Sequence, residues 1–294
     1  MNKKIFILSV FLAAIPFLIF PESPLDQAKK YYEMKRYDHA LKLYKKVKNT
    51  YPDSDWDVMA HVMTARIYEH QRKFDSAVGE YKKVIKKFSD KPQAEEAFFA
   101  IGRLRTVMGD PSKSVKAYQA YLKVYTNGVY GAMALFNIAN LLKEKGKHRQ
   151  ALEYYGEVLK KHANEPWFYS WSAIYSGHIY SHRKDYDKAI EIYSRVIRTD
   201  SNKFLYNLAT LHRGQAYLDK KDYNAAKAVF QSILKESSDF SEEALYGLGK
   251  ANYMSGDYEM SKEVLETLVQ MFPSTVWKKD VEMRLKKINK KLKK

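Results

Sequence analysis

The sequence predicts an all-α protein built from about seven repeated helix pairs and closed by one further helix. A small residue recurs at a nearly constant interval along the chain, usually with an aromatic residue three positions before it and a bulky residue four positions after it. Spacings of three and four place such residues on one face of a helix. We find no convincing strand-like alternation of apolar and polar residues. A steady period of this length is typical of repeat arrays.

Each repeat has two halves, and each half is marked by its own small residue. The downstream small residues are Ala40, Ala77, Ser114, Ala151, Ala189, Ala226 and Ser261, and twelve positions before them lie Ala28, Ala65, Gly102, Ala139, Gly177, Gly214 and Gly249. We therefore expect each unit to be two antiparallel helices that pack through these small residues, with the tyrosines of the pattern in the core. Pro92 and Pro166 fall where a new helix would begin, a position that tolerates proline.

The segment 1–23 has the pattern of a targeting sequence. Lys3 and Lys4 form a basic start, and the stretch from Ile5 to Phe20 carries no charge. This matches the basic and apolar regions of a secretory signal. As a helix the apolar stretch would span about 24 Å, less than the ~30 Å core of a bilayer. We expect a signal peptide and export, and two alternatives stay open, an uncleaved anchor and a buried segment of the main domain.

The C-terminal segment 274–294 predicts a basic capping helix. An apolar stripe at helical spacing consists of Trp277, Val281, Leu285, Ile288 and Leu292, and residues 278–294 carry nine basic and two acidic side chains. The end of a repeat array must cover its last apolar face, and such caps are polar outside. The alternative reading of the lysines is contact with an anionic membrane surface or an acidic partner. The predicted organisation is a targeting segment at 1–23, a repeat array at 24–273 and this cap at 274–294.

The composition argues against most kinds of chemistry. The 294 residues include no Cys, which excludes disulfides, Cys-ligated zinc, iron–sulfur clusters and thiol catalysis. The formal charge of +17 comes largely from Lys, whereas specific phosphate recognition favours Arg, so we expect no nucleic-acid partner. Gly247-Leu248-Gly249 lacks the third glycine of a dinucleotide site, and His178 and His182 lack the intervening Glu of a zinc-protease motif. We expect no catalytic residue, no metal and no cofactor, and hence not an enzyme.

The small and aromatic residues of all seven units resemble the pattern of the tetratricopeptide repeat family, over about residues 24–273. Loops such as Tyr51-Pro52-Asp53-Ser54 and Phe272-Pro273-Ser274-Thr275 look like those of bacterial envelope members, among them Tol-Pal-associated and outer-membrane-assembly proteins. The chain departs from the assembly lipoproteins in having no Cys to carry a lipid. The resemblance implies a right-handed superhelical solenoid that binds proteins and lies in the periplasm, or on a membrane facing it.

The resemblance also implies that the first helix of each pair lines a concave groove. One column of positions there contains no acid, and the neighbouring column contains no charge, which suits an acidic amphipathic segment or a C-terminal carboxylate. The alternative is that the apolar column packs against neighbouring helices. The predicted groove residues are Arg66, Phe99, Arg103, Phe136, Asn137, Asn140, His178, Gln215 and Lys250.

The function that these features predict is a non-enzymatic scaffold of the bacterial cell envelope that binds a peptide or protein segment in its groove. Two alternatives belong to other classes. One is an adaptor that sits on the membrane surface through its Lys-rich C-terminal helix. The other is a homo-oligomer, in which the terminal repeats of one copy enter the groove of another.

Overall fold

The computed structural model describes residues 22–199, 202–236 and 239–293, and almost all of the predicted targeting segment lies outside them. Within these ranges the chain forms fifteen α-helices and no strand. None of the described helices is long and apolar enough to cross a membrane. The helices are α1 (Pro24–Glu33), α2 (Tyr37–Thr50), α3 (Asp55–His70), α4 (Phe74–Lys87), α5 (Pro92–Val107), α6 (Pro111–Val124), α7 (Gly131–Glu144), α8 (His148–Lys161), α9 (Pro166–His182), α10 (Tyr186–Thr199), α11 (Lys203–Lys220), α12 (Tyr223–Lys235), α13 (Ser241–Ser255), α14 (Tyr258–Met271) and α15 (Lys278–Leu292).

The first fourteen of these helices form seven consecutive pairs, and α15 follows the last pair. The predicted fold class, an all-α array of about seven helix-turn-helix repeats with a terminal helix, is confirmed. Pro92 and Pro166 are the first residues of α5 and α9, as their positions in the sequence predict. Proline is tolerated there because the first N–H groups of a helix have no partner within it.

The tight turn inside every pair uses one residue in the left-handed backbone region. Three of these residues are glycines, and Gly109 and Gly146 have φ angles of 73° and 71°. Four are long basic residues, for which this conformation costs about 1–2 kcal/mol. The seven residues, one per pair and each five positions before the small residue of the second helix, are Lys35, Arg72, Gly109, Gly146, Lys184, Lys221 and Gly256.

The two helices of a pair pack by placing a large ring against a small residue. In α5 and α6 a Cβ added to Gly102 would lie 2.5 Å from the ring of Tyr118, and in α11 and α12 Gly214 meets Phe230 in the same way. Five of the pattern tyrosines on second helices are fully buried: Tyr44, Tyr81, Tyr118, Tyr155 and Tyr193. Their predicted role as core residues is confirmed.

The array divides into two compact units, one that ends at Ala97 and one that runs from Phe98 to Lys294. In the first unit a core around Tyr44, Val47 and Ile67 joins α1, α2 and α3. In the second unit one larger core extends from Phe99 of α5 to Ile179 of α9, and another extends from Leu218 of α11 to Ile288 of α15.

The terminal helix α15 covers the last pair with two fully buried residues, Val281 and Ile288. Leu285 is partly buried, whereas Leu292 at the end of the predicted stripe is exposed. Two of the basic residues bind the array: Arg284 pairs with Asp280 and lies over the ring of Tyr253, and Lys291 donates to the hydroxyl of Tyr258.

Candidate binding face on the first helices

Two of the predicted groove residues, Phe99 and Phe136, lie in the core of the second unit. They are 7% and 6% exposed. Phe99 stacks on Tyr130 with ring centroids 4.7 Å apart, and Phe136 meets Trp167 edge-on at 5.5 Å. Their burial favours the packing alternative for the apolar column, and a contact between these two residues and a partner stays a prediction.

A row of aromatic residues at the starts of first helices and of α15 contributes to this burial. Its members are Tyr130, Trp167, Phe204, Phe240 and Trp277. Tyr130 and Trp167 cover the apolar column of the preceding first helix, and Trp277 stacks on Tyr246 at 4.7 Å in the same manner. Trp167 keeps 54% of its surface exposed. These five residues recur at the same interval as the other repeat positions. The row can therefore be recognised in the sequence from that interval.

Two predicted groove residues of α7, Asn137 and Asn140, are half-buried, and each forms a hydrogen bond with a tyrosine hydroxyl. Asn137 Nδ2 donates to the hydroxyl of Tyr118 at 3.2 Å, and the hydroxyl of Tyr155 donates to Asn140 Oδ1 at 2.5 Å. Among the described residues, Asn137 Oδ1 and Asn140 Nδ2 make no hydrogen bond. This part of α7 therefore presents one acceptor and one donor, one helical turn apart, in fixed orientations.

Beside the two asparagines, helix α9 contributes two aromatic side chains and helix α7 contributes a lysine. Trp171 and Tyr175 lie one turn apart with ring centroids 5.4 Å from each other. The ammonium of Lys143 lies 3.7 Å from the centre of the Tyr175 ring, a cation–π contact. Burial lowers the pKa of Lys143 below the usual lysine range. The predicted site residues included none of these three, although Tyr175 occupies in its repeat the position that Asn137 occupies in the preceding one.

His178 pairs across helices with His212, not along its own helix with His182. The two rings meet edge-on with centroids 4.3 Å apart, and His212 stacks on the buried ring of Tyr193. Burial and the charge of Lys143 lower the pKa of His178. Burial, and secondarily His178, lowers the pKa of His212 to about 4. Both imidazoles are therefore neutral at pH 7, and Nε2 of His178 is buried with no hydrogen-bond partner among the described residues.

The remaining predicted residues are more exposed and several face acids. In the second unit Gln215 donates to Asp219 at 2.8 Å, and Lys250 lies close enough to Asp280 to lower the pKa of that carboxyl. Arg103 is exposed. In the first unit Arg66 forms an ion pair with Glu96. The predicted groove column contains no acid itself, but acidic residues at adjacent positions partly neutralise its positive charge.

The described residues contain no group of three His, Asp or Glu side chains arranged to hold a metal ion. The α7–α9 face, which we define as Asn137, Asn140, Lys143, Trp171 and Tyr175, lies at the margin of the core, where both aromatic rings are partly buried. Its groups suit non-covalent recognition, since it offers amides, aromatic rings and a cation.

Comparisons with known proteins agree with this architecture. Sequence models described as tetratricopeptide repeat match residues 25–54, 62–129, 136–204 and 217–279. No curated protein sequence matches the chain. The structure is similar to the C-terminal part of a TPR repeat-containing protein from Cytophaga hutchinsonii, with 16% identity, 87% of this chain and 98% of that chain covered, and a TM-score of 0.67.

A second similar structure is that of Naa15/Naa10 bound to HypK-THB, with 15% identity and a TM-score of 0.58. The match covers 91% of this chain and 38% of that one. Identities this low establish the fold alone. Repeats of this kind generally serve as protein–protein interaction scaffolds and are typically not enzymes. The matched segments together cover more than half of the sequence, and the chain belongs to the tetratricopeptide repeat family.

Proposed function

We propose that this chain is a non-enzymatic scaffold of the bacterial cell envelope that binds an acidic, partly apolar protein segment along the first helices of its second unit. The observation that carries the proposal is the α7–α9 face. It combines two amide side chains, two aromatic rings and one cation on adjacent helices, and none of its members is an acid.

The two asparagines suit the main chain of a bound segment. A peptide group offers one N–H donor and one C=O acceptor, which match Asn137 Oδ1 and Asn140 Nδ2. The tyrosine hydroxyls already fix both amide groups. Little side-chain entropy is then lost on binding, and pre-organisation of this kind raises affinity.

The aromatic rings and Lys143 suit the side chains of the same segment. Trp171 and Tyr175 offer an apolar surface for a leucine-sized or aromatic anchor, and residues of this kind often dominate interface energies. Lys143 is partly desolvated, which lowers its pKa. A carboxylate beside it would favour its charged form and make a charge-assisted hydrogen bond. An acidic residue next to an apolar one is therefore the expected motif.

The envelope location rests on the amino-terminal sequence. The basic start and the uncharged run from Ile5 to Phe20 support export. A fusion of residues 1–23 to a reporter that is active only after export tests this part alone. Reporter activity supports the periplasmic location, and activity confined to the cytoplasm contradicts it.

The binding face is tested by affinity capture from solubilised envelopes of the native organism. The full-length chain is compared with a variant carrying Asn137→Ala, Asn140→Ala and Lys143→Ala. Phe99→Ala and Phe136→Ala are unsuitable, because truncating a buried Phe destabilises a fold by about 3–5 kcal/mol. A matched control carries three exposed changes on second helices, Lys116→Ala, Gln231→Ala and Lys235→Ala.

A protein that the wild type and the control retain, and that the face variant loses while its helical circular dichroism is unchanged, supports the proposal. Equal retention by all three chains places the binding surface elsewhere and contradicts it. Capture of only further copies of the chain would favour self-assembly in place of a separate partner.

A second candidate function is a membrane-surface adaptor, and α15 favours it. Arg284 and Lys291 are engaged with the array, but Lys286, Lys287 and Lys290 are exposed. Each basic residue near an anionic membrane contributes about 1 kcal/mol. Sedimentation with anionic vesicles, before and after reversal of these three charges to Glu, tests the adaptor. Unchanged sedimentation would remove it.

A further inference from the structure

A second candidate surface lies at one end of the second unit and uses no residue of the α7–α9 face. Consecutive helices run antiparallel, so the loops that join successive pairs lie at one end of the array and the tight turns inside pairs lie at the other. Phe136 of α7 meets Trp167 of α9, and the rings of His178 and His212 join α9 to α11. The starts of these three first helices therefore lie side by side at the loop end.

The loop end exposes large apolar side chains on neighbouring helices. Val129 precedes α7 and is 76% exposed, Trp167 lies in the first turn of α9, and Phe204 lies in the first turn of α11 and is 49% exposed. Val124, the last residue of α6, is exposed beside them. Apolar residues scattered singly on a surface are normal, whereas a group of neighbours marks an interaction site.

The opposite end of the same repeats differs in this respect. Its tight turns, 145–147 and 183–185, expose no large apolar side chain. They carry lysines and an arginine, so a purely electrostatic partner would find cations at both ends. Only the loop end offers apolar surface as well.

Three lysines accompany the apolar side chains of the loop end. Lys123 and Lys160 lie in the last turns of α6 and α8, and Lys203 is the first residue of α11. All three are exposed, and none forms an ion pair with another described residue. Their charges are therefore available to an anionic partner.

The nearby acids do not cancel these charges. In the described part of this end, from the last turn of α6 to the start of α11, the acids are Glu157 and Glu165. Glu157 pairs with Lys161 at 2.5 Å, and Glu165 lies 2.9 Å from Nδ1 of His162. The loop end is thus both apolar and positively charged.

This combination suits the surface of a lipid bilayer. Aromatic side chains favour the interface between the lipid headgroups and the acyl chains. Binding at that interface increases with the apolar area buried and with the attraction between basic residues and anionic lipids. A protein partner would need a matching acidic and apolar surface, whereas an anionic bilayer supplies both properties over any area.

We propose that this loop end docks on an anionic lipid bilayer. The apolar side chains enter the interfacial region, and the lysines contact the lipid phosphates. We call the surface the loop edge and define it as Lys123, Val124, Val129, Lys160, Trp167, Lys203 and Phe204. It is separate from the α7–α9 face and from the lysines of α15, so its failure would leave the proposed function standing.

The absence of Cys from the chain allows one fluorophore to be placed by a single substitution. The environment-sensitive dye NBD is attached through Val129→Cys in the full-length chain or, as the control, through Val107→Cys, an exposed valine at the turn end. The probe is a vesicle of phosphatidylglycerol and phosphatidylethanolamine, and phosphatidylcholine vesicles are the lipid control. The uncharged run from Ile5 to Phe20 can enter vesicles by itself, so the local emission of the dye is measured in place of total binding.

The dye at position 129 should shift its emission to shorter wavelengths on the anionic vesicles, and nitroxide groups on the lipids should quench it. The dye at position 107 should do neither. Trp167→Gln with Phe204→Gln should raise the lipid concentration needed for the shift about tenfold or more. The matched control, Met254→Gln with Met260→Gln, changes exposed residues at the turn end and should leave it unaltered.

A second variant, Lys123→Glu with Lys203→Glu, tests the edge through exposed side chains, even if the ring substitutions disturb the packing on Phe136. It should also raise the required concentration of anionic lipid about tenfold or more. Helical circular dichroism checks the folding of every variant.

No emission shift at position 129 would overturn the proposal, and so would equal shifts at positions 129 and 107. A shift that both the ring variant and the lysine variant retain unchanged would contradict it as well. Loss of the shift only on reversal of Lys286, Lys287 and Lys290 would place the lipid contact on α15 and overturn the loop edge.

Discussion

The backbone of Gly177 on α9 lies directly against the ring of Tyr193 on α10, so close that a methyl group on Gly177 would overlap the ring. Gly102 and Tyr118, Gly214 and Phe230, and Gly249 and Leu265 repeat this relationship in other pairs of the second unit. The approach of the two backbones allows the large side chain to be fully buried. It also explains why the same two positions recur along the sequence.

Gly177→Ala should therefore destabilise the chain, although alanine favours helices. Overpacking a tight core costs about 1–3 kcal/mol and outweighs the gain of about 1 kcal/mol in helix propensity. Gly156→Ala on α8, where the space is open, should raise the free energy of unfolding by about 0.5–1 kcal/mol. Urea unfolding measures both. Equal stabilisation by the two substitutions would show that the glycine–ring contact does not determine the pairing of the helices.

The repeat period alone predicted the all-α fold, the pairing of helices and the buried tyrosines, because those features depend on residues close in sequence. The exposure of Phe99 and Phe136 could not be read in the same way. It depends on Tyr130 and Trp167, which reach back from the next first helix. The period contains that row, but only the structure shows what each ring covers.

Contacts between residues that are far apart in sequence could not be predicted from the repeat pattern. His178 on α9 meets His212 on α11, the next first helix, and not the His182 that helical spacing favours. The ion network of Lys48, His61 and Glu80 in the first unit also joins residues that are far apart in sequence, since these lie on α2, α3 and α4. Neither cluster repeats along the chain, so the period gives no sign of them.

The pair of His178 and His212 predicts acid sensitivity. The pKa of His212 is lowered to about 4, against an ordinary value of about 6.5, first by burial and then by His178. The unfolded chain thus binds protons more readily, and stability falls as the pH drops from about 6.5 towards 4. The loss is on the order of 3 kcal/mol at most.

The sensitivity is measured by urea unfolding of the wild type and of His212→Phe at pH 7.5 and pH 5. The substitution removes the titrating ring and should flatten the dependence between these values. An equally steep dependence in both proteins would place its origin in other groups. Lys143 also faces His178, so its substitution by Met should moderate the effect.

Glu80 should be a second pH-dependent element, in a lower range. Burial opposes its charge, but hydrogen bonds from His61 and Lys83, with Lys48 nearby, lower its pKa to about 2. Its stabilising contribution is present above pH 4.5 and is lost as the pH falls towards 2. Glu80→Gln removes the carboxylate that Lys48 and His61 share, leaving His61 with Asp57 alone, and should destabilise the first unit by about 3–5 kcal/mol.

The matched control for Glu80→Gln is Lys83→Met. Lys83 donates to the same carboxylate, but its side chain is exposed, and exposed pairs contribute about 0–1 kcal/mol. Thermal unfolding at pH 7 should separate the two variants clearly. If both lower the unfolding temperature equally, the burial of the network is not what makes it stabilising.

The terminal helix should act through its buried face. Ile288→Ala removes a fully buried side chain and should cost about 2–5 kcal/mol, because a cavity opens against the last pair. Lys287→Glu and Lys290→Glu, on the exposed face, should each change stability by less than about 0.5 kcal/mol. Hydrogen exchange of α13 and α14 reports the difference. Similar protection in the alanine and glutamate variants would argue against a capping role.

Binding of a protein segment on the α7–α9 face is the step on which the proposed function depends. Its most direct test is site-specific photo-crosslinking in native envelopes, with a photoreactive amino acid at the position of Asn140 or, as the control, at the exposed position of Lys116 on α6. We predict a crosslink from position 140 to one acidic segment of another protein, identified by mass spectrometry, and none from position 116. The same product from both positions, or no product from position 140, would contradict it.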